Sequence, residues 1–115
     1  MTDRTSADHL GDILDAAEKA QGFVEGTTCE AFVNDDKTVF AIIWALEIIG
    51  EATKRLPETL RHEYPQVPWS SMAGMRDRLI HDYGDIDRRI VWRTVQDELP
   101  EVCRQLRSIV DEIEG

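Results

Sequence analysis

Residues 72–83 read MAGMRDRLIHDY, and this stretch decides how we expect the chain to fold. If it forms one α-helix, turning about 100° per residue, its apolar side chains share one continuous arc with Arg76 in the middle. The members of that arc are Trp69, Met72, Ala73, Leu79, Ile80 and Tyr83. An unpaired guanidinium is costly to bury because it cannot lose its proton. The pattern therefore predicts either an internal partner for Arg76 or a cleft that opens on this face of the helix.

Two further side chains complete a candidate site around Arg76. His81 lies five positions later, about 140° further round the helix, which a long arginine side chain can bridge. Asp77 precedes His81 by four residues, the spacing at which helical side chains meet, and could orient the imidazole. Tyr83 returns to the same face as Arg76. A neutral histidine can take a proton from a ribose hydroxyl, and an arginine can hold a phosphate by two hydrogen bonds.

Outside this stretch, the sequence predicts an all-α fold, an antiparallel bundle of four main helices. We expect a first helix at 6–24, a second at 35–56, the site helix ending near 84, and a last one after a cap at Asp85 or Asp87. A short helix or turn is expected near 57–64. Pro100 either kinks the last helix or begins a new one, because proline removes a backbone donor.

The second helix is apolar almost all round, which is typical of a helix in the middle of a bundle or in an oligomer interface. Its polar stripe consists of Glu47, Glu51 and Lys54. This stripe either supplies a carboxylate that faces Arg76 or forms the solvent edge of the helix. The sequence leaves both interpretations open.

Length and charge narrow the class of protein. The 115 residues suit one domain, residues 1–115, with a single core. A formal net charge of −10 opposes generic binding of nucleic acid. Residues 76–93 are nearly neutral, however, with five Arg against four Asp. That composition suits a focused phosphate site, or an acidic face for a basic partner. The chain has two cysteines, no signal-peptide pattern and no apolar stretch long enough to span a membrane. These features predict a cytoplasmic protein.

The spacing Arg-x4-His-x-Tyr, formed by Arg76, His81 and Tyr83, resembles the signature of the HEPN superfamily and, within it, of the HepT-like toxins. Further segments resemble that family in the same order: IIGEATKRLP (48–57), YPQVPW (64–69), GMRDRLIHDYGDID (74–87), VW (91–92) and ELP (98–100). One position departs mildly, since Asp77 stands where asparagine often follows the arginine. The ordered set is more specific than the short motif alone.

The resemblance implies a HEPN-like helical homodimer that cleaves RNA in a shared cleft, with catalytic Arg76 and His81 and without metal or cofactor. Asp77 would support His81. It also implies a toxin of a type VII-like toxin–antitoxin pair, in which a nucleotidyltransferase antitoxin uses ATP to attach AMP to Tyr83. An added AMP would bring bulk and negative charge beside the phosphate site and so block it.

Three alternatives remain from the residues. Arg76 could form a structural ion pair beside a hydrogen-bonded His81. Asp77 and His81 could belong to a metal site, although no HExxH, paired Glu-x-x-His or cysteine cluster accompanies them. A third alternative is a non-catalytic HEPN module that binds a nucleotide or holds a dimer together.

Overall fold

The computed structural model describes residues 4–82 and 85–115, with the backbone alone at His81 and Asp82. This part of the chain is an all-α bundle with one small pair of strands, which confirms the predicted fold class. Its elements are α1 (Ser6–Phe23), α2 (Cys29–Val33), α3 (Asp36–Lys54), α4 (Glu58–Glu63), α5 (Trp69–Ala73), α6 (Met75–Leu79), β1 (Ile80–Asp82), β2 (Asp85–Ile86), α7 (Arg88–Arg93), a π-helical segment (Thr94–Glu98) and α8 (Leu99–Glu114). None of the described helices combines the length and apolar character needed to cross a membrane.

Helix α1 begins in a capping box. The Thr5 side chain accepts a hydrogen bond from the Asp8 backbone, and the Asp8 carboxylate accepts one from the Thr5 backbone. These two bonds satisfy donors that a helix start otherwise leaves without partners. After α1 the chain turns at Gly26, whose φ of 76° is accessible to glycine at little cost. The buried face of α1 then packs against α3 and α8.

Helix α3 has one buried side and one exposed side, although its sequence is apolar almost all round. One side lies in the core and includes Val39, Ile42, Leu46 and Ile49. The opposite side leaves Phe40 and Trp44 60% and 65% exposed. The described chain therefore does not enclose α3 in the middle of the bundle. The other interpretation of its apolar character, an oligomer interface, stays a prediction.

The predicted site helix over 72–84 is wrong. Gly74 separates α5 from α6, and α6 ends at Leu79 because Ile80 is extended, with φ −119° and ψ 104°. β1 then pairs antiparallel with β2, Ile80 lying opposite Ile86. The break rotates α6 relative to α5, so that Met75 and Leu79 face the core.

The last helical stretch begins after Asp87, whose carboxylate accepts a hydrogen bond from the Ile90 backbone, as predicted for a cap. It runs through α7 into the π-helical segment, where the Leu99 N–H donates to the Thr94 carbonyl, five residues back. Pro100 then lies in the first turn of α8. The wider turn of the π-helical segment accommodates Pro100, which has no N–H to donate and whose ring crowds the preceding turn.

Candidate active site

Arg76 lies on the outer side of α6, and its side chain is 60% exposed. The predicted position within a buried arc is wrong, because the break at Gly74 turns Met75, and not Arg76, toward the core. Arg76 Nε donates to Glu47 Oε1 at 3.0 Å. The Glu47 side chain is 33% exposed. The guanidinium is thus held from one side by α3 and open to solvent on the other.

The structure supports each of the two interpretations of the polar stripe on α3 for a different part of the stripe. Glu47 supplies the carboxylate that faces Arg76. Glu51 and Lys54 form a separate, exposed pair 3.6 Å apart. Within the stripe, Glu47 is therefore the partner of Arg76, whereas Glu51 and Lys54 form the solvent-exposed edge of the helix.

Asp77 lies beside Arg76, with 3.9 Å between its Oδ1 and Arg76 Nη1, and its side chain is 87% exposed. The spacing argument that placed Asp77 against His81 is wrong, because it needs one continuous helix and the chain is extended from Ile80. A role of Asp77 in supporting His81 stays a prediction.

The backbone of His81 lies in β1, two residues after α6 ends. The Asp87 N–H donates to the Leu79 carbonyl at 3.4 Å, which ties the start of α7 to the end of α6. The side chain of His81 and the whole of Tyr83 lie outside the described residues. The convergence of Arg76 with His81, and the place of Tyr83, are therefore still predictions.

Three other arginines of the segment 76–93 form ion pairs with carboxylates from neighbouring elements. The ion pairs are Arg78–Glu98 at 3.3 Å, Arg88–Asp36 at 2.9 Å and Arg89–Glu30 at 2.9 Å. The hydrogen bond that Arg89 donates to Glu30 raises the pKa of the Arg89 guanidinium further above its ordinary value. The pairs of Arg88 and Arg89 fasten α7 to α3 and α2, and the pair of Arg78 links α6 to the π-helical segment. Arg76 and Arg89 keep the most exposed side chains among these four arginines, at 60% and 59%.

A cavity of about 270 Å³ adjoins the site, between the start of α1 and the second half of α3. Glu47 forms part of its wall, together with Arg4, His9, Trp44 and Ile48. Sequence reasoning missed this cavity, because its residues come from two helices far apart in the chain and carry no common spacing. Through Glu47, the cavity borders directly on the carboxylate that holds Arg76.

Within the described residues, no group of three or more His, Cys, Asp and Glu side chains could hold a metal ion. The His81 imidazole is not among the described side chains. Whether the reaction needs a metal therefore stays a prediction.

The described chain is a helical bundle in which the outward-facing Arg76 precedes His81 by five residues. These two features define the class of protein, a helical domain with an Arg-x4-His motif. The chain belongs to the ribonuclease HepT-like family, whose family model matches residues 13–109. This confirms the resemblance inferred from the ordered motifs.

Several known proteins are similar over most of the chain. The "Probable ribonuclease HepT" of Thermococcus cleftensis is 44% identical over 99 residues, which cover 86% of this chain and 90% of that protein. A protein of Methanocaldococcus jannaschii named as a candidate RNase is 39% identical over 106 residues, 92% of this chain and 88% of its own length. Another, from Caldanaerobacter subterraneus, is 41% identical over 107 residues, 93% and 96% respectively. No solved structure matches the chain.

Proposed function

We propose that this protein is a metal-independent endoribonuclease that acts as a toxin, with Arg76 and His81 as its catalytic residues. One observation carries the proposal, namely how Arg76 is held. Its Nε binds Glu47, while the side chain stays 60% exposed. Because Arg76 donates to Glu47 through Nε, and Asp77 lies 3.9 Å from Nη1, beyond hydrogen-bond distance, the terminal nitrogens can still bind a phosphate by two parallel hydrogen bonds. Family membership and the relatives named as ribonucleases support the ribonuclease activity in this proposal.

The proposed reaction is an internal transfer at phosphorus. His81 accepts the proton of a ribose 2′-hydroxyl, the 2′-oxygen forms a bond to the adjacent phosphorus, and the bond from phosphorus to the 5′-oxygen breaks. The leaving oxygen takes up a proton, so that the products are a 2′,3′-cyclic phosphate and a 5′-hydroxyl. Arg76 stabilises the charge that develops on the phosphate oxygens. No metal and no organic cofactor are needed for these steps.

We further propose that the active site lies in the cleft of a homodimer. The described face around Arg76 is open, and one exposed guanidinium is a small site for a polyanion on a chain with a net charge of −10. A second copy would bring a second Arg76 and His81 to the same phosphate backbone. The acidic surface elsewhere would then restrict RNA to that cleft.

Tyr83 is the proposed point of control. A partner nucleotidyltransferase would transfer AMP from ATP to the Tyr83 hydroxyl and release pyrophosphate. The new phosphodiester carries a negative charge two residues from His81, where it would compete with RNA for Arg76. Co-expression with the partner and intact-mass measurement test this step. Tyr83→Phe should abolish an AMP-sized increment, and Tyr64→Phe, which removes the other tyrosine, should leave it. An increment that survives Tyr83→Phe would contradict the proposed control.

A second candidate is a non-catalytic HEPN module that binds a nucleotide or holds a dimer together. The Glu47 contact favours it to the extent that Arg76 already has a carboxylate partner. This alternative predicts that no RNA is cleaved under any condition, and that Arg76→Ala alters dimerisation or stability.

The deciding experiment compares histidine variants on labelled RNA in the presence of a chelator. His81→Ala should lose cleavage while its circular dichroism and sedimentation stay those of the wild type. His62→Ala is the matched control, since His62 lies exposed on α4 and has no proposed role. Arg76→Ala should lose cleavage as well. Full activity of His81→Ala, or activity that needs an added divalent ion, would contradict the proposed mechanism.

A further inference from the structure

The cavity between the start of α1 and the second half of α3, which we call the α1–α3 cavity, has both apolar and polar lining residues. Trp44, Ile48 and Ala52 are the apolar ones. The polar ones are Arg4, His9, Asp12, Glu47, Glu51 and Arg55. Its volume of about 270 Å³ is slightly smaller than the roughly 300–1,000 Å³ of pockets for drug-sized ligands. The cavity therefore suits one planar ring system better than a length of strand.

The cavity lies within reach of the site at Arg76. Trp44 and Glu47 are three residues apart on α3, a spacing that puts their Cβ atoms about 5–6 Å apart. Glu47 binds Arg76 Nε at 3.0 Å. Only a sugar separates the base of a nucleotide from its phosphate. A phosphate on the open side of Arg76 consequently leaves the neighbouring base close to the cavity.

Trp44 offers a ring on which a base can stack. Of the three tryptophans in the chain, Trp69 is buried and Trp92 is half-buried, whereas Trp44 is 65% exposed. Tryptophan is highly buried on average, so this exposure is unusual. Single-stranded nucleic acids commonly place unpaired bases on exposed aromatic side chains.

The carboxylates that line the cavity are all in ion pairs, which favours RNA despite the acidic chain. The pairs are Asp12–Arg4 at 2.8 Å, Glu47–Arg76 at 3.0 Å and Glu51–Lys54 at 3.6 Å. Arg55 adds a further cation to the lining. The net charge of −10 is therefore not concentrated at the cavity, and a neutral base can enter it.

The same carboxylates supply hydrogen-bond acceptors. Each pair is formed through one oxygen of the carboxylate, and an ionised carboxylate has a second oxygen that accepts. Glu51 is the most available of the three. Its Oε1 lies 3.6 Å from Lys54 Nζ, beyond hydrogen-bond distance, and its side chain is 64% exposed. Acidic side chains recognise exocyclic amino groups, such as the N4 amino group of cytosine.

We propose that the α1–α3 cavity binds the base of the nucleotide whose phosphate lies on Arg76, with the base stacked on Trp44 and an exocyclic amino group donating to Glu51. The inference rests on the phosphate-binding role proposed for Arg76, and it adds which bases the site accepts. Adenine, cytosine and guanine carry such an amino group. Uracil carries carbonyl oxygens instead, which a carboxylate repels. The cavity thus selects the position of the cut and takes no part in the bond changes.

A protein segment is the other occupant that an exposed tryptophan suits. An apolar side chain from a partner would cover Trp44 but would give the carboxylates of the lining no hydrogen-bond donor. A base with an amino group satisfies both the ring and the carboxylate. The polar lining therefore favours the base.

Binding of uncleavable RNA tests the base preference. Short uniform 2′-O-methyl strands of cytosine or uracil lack the attacking hydroxyl, and the two bases have nearly the same shape. The wild type should bind the cytosine strand at least about fivefold more tightly. Glu51→Gln should bring the ratio of the two dissociation constants close to one, because an amide offers donors as well as an acceptor. Fluorescence anisotropy of labelled strands measures these constants.

Two further variants complete this comparison. Lys54→Gln is the matched control, since it removes the same ion pair from a residue outside the cavity lining, and it should keep the preference for cytosine. Arg76→Ala should weaken binding of both strands alike, because it removes a phosphate contact that both share.

Substitutions at Trp44 test the stacking. Trp44→Leu should raise the dissociation constants of both strands at least about fivefold. Trp44→Phe keeps an aromatic ring and should raise them less. A purely apolar contact would give leucine and phenylalanine the same effect. Phe40→Ala is the matched control, because Phe40 is 60% exposed on the same helix and does not line the cavity.

Cleavage of a random RNA pool gives a second readout. Sequencing of the products should show uracil depleted at one of the two nucleotides that flank the cut. Glu51→Gln should lose this depletion, whereas Lys54→Gln should retain it. The side on which uracil is depleted identifies the nucleotide that occupies the cavity.

The outcomes separate the inference from the proposed function. Cleavage with equal binding of the two strands, or with a preference that survives Glu51→Gln, would overturn the inference alone. Selective binding of the cytosine strand without cleavage of any RNA would keep the inference and overturn the proposed ribonuclease. Trp44→Leu that changes sedimentation but not RNA binding would overturn the inference and assign Trp44 to a protein contact. A preference that Glu51→Gln removes, with graded effects at Trp44, supports it.

Discussion

Glu47 Oε1 accepts a hydrogen bond of 3.0 Å from Arg76 Nε, joining residues 29 positions apart in the chain. The bond ties the short helix α6 to the long helix α3. Both side chains remain partly exposed, and exposed ion pairs stabilise a fold by only about 0–1 kcal/mol. Its main effect is to fix the direction in which the guanidinium faces.

Glu47→Gln should therefore affect activity more than stability. We expect kcat/KM for RNA cleavage to fall about tenfold, since a guanidinium that must be oriented at each turnover binds the transition state less well. The free energy of unfolding should change by less than about 1 kcal/mol. Glu18→Gln removes a comparably exposed ion pair with Arg107 and should leave cleavage unchanged. Unchanged cleavage by Glu47→Gln would show that Arg76 needs no orienting partner.

Two glycines in helices should respond to substitution with opposite signs. Gly11→Ala in α1 should raise the free energy of unfolding by about 0.5–1 kcal/mol, because a Cβ there meets nothing within 4 Å. Gly50→Val should lower it by about 1–3 kcal/mol, because even a Cβ at Gly50 already lies 3.4 Å from the backbone oxygens of Met72 and Ala73. Urea denaturation measures both changes. Gly50→Val should also lower cleavage, since it separates α5 and α6 from α3. A stabilising Gly50→Val would contradict the close approach of these helices.

The capping box should make stability depend on pH. The Thr5 backbone N–H, followed by its hydroxyl, lowers the pKa of Asp8 below its ordinary 3.8. A carboxyl with a lowered pKa in the folded state stabilises the fold above its unfolded pKa, and that contribution is lost as the pH falls through the folded value. Asp8→Ala should thus be less stable than the wild type at pH 7. The difference in their free energies of unfolding should narrow as the pH falls below 3.8. Asp15→Ala, in the middle of the same helix, should show a smaller gap at pH 7. Thermal unfolding at several pH values measures this, and a gap that widens in acid would contradict it.

The two thiols should differ in reactivity. Burial raises the pKa of the Cys103 thiol, which is 1% exposed, whereas Cys29 is only half-buried and its Sγ lies 3.6 Å from Arg89 Nη1. The thiolate is the reactive form, so iodoacetamide should modify Cys29 at least about tenfold faster than Cys103. Peptide mass spectrometry over time measures both rates, and in denaturant they should become similar. Equal rates in the native protein would contradict the burial of Cys103.

The long helices were predictable from the sequence. Their spans of 6–24 and 35–56 compare with Ser6–Phe23 and Asp36–Lys54. Strong periodicity and a capping side chain at each start, Thr5 and Asp35, define these elements locally. The short helix near 57–64 was also predictable from the sequence, because Pro57 ends one helix and precedes the next.

The site segment was predicted less well, for a physical reason. A one-residue break at Gly74 preserves an apolar spacing, since Met72, Met75 and Leu79 are all buried. Periodicity cannot distinguish that arrangement from a single helix with a different buried arc. The direction of Arg76 depends on the break, and so its exposure was missed. A carboxylate partner from the polar stripe of α3 was one of the two interpretations that the sequence left open, and Glu47 provides it. The two short strands gave no signal, since they span only Ile80–Asp82 and Asp85–Ile86.

The π-helical segment Thr94–Glu98 acts as a one-residue spacer in the longest helical stretch. Because each residue turns a helix by about 100°, inserting one further residue there, beyond the one that the wider turn absorbs, would twist everything after it away from its present packing. Leu106 and Ile109, now buried, would swing toward water, and polar neighbours would swing inward. Substitutions in this segment are therefore far easier to accommodate than a further insertion.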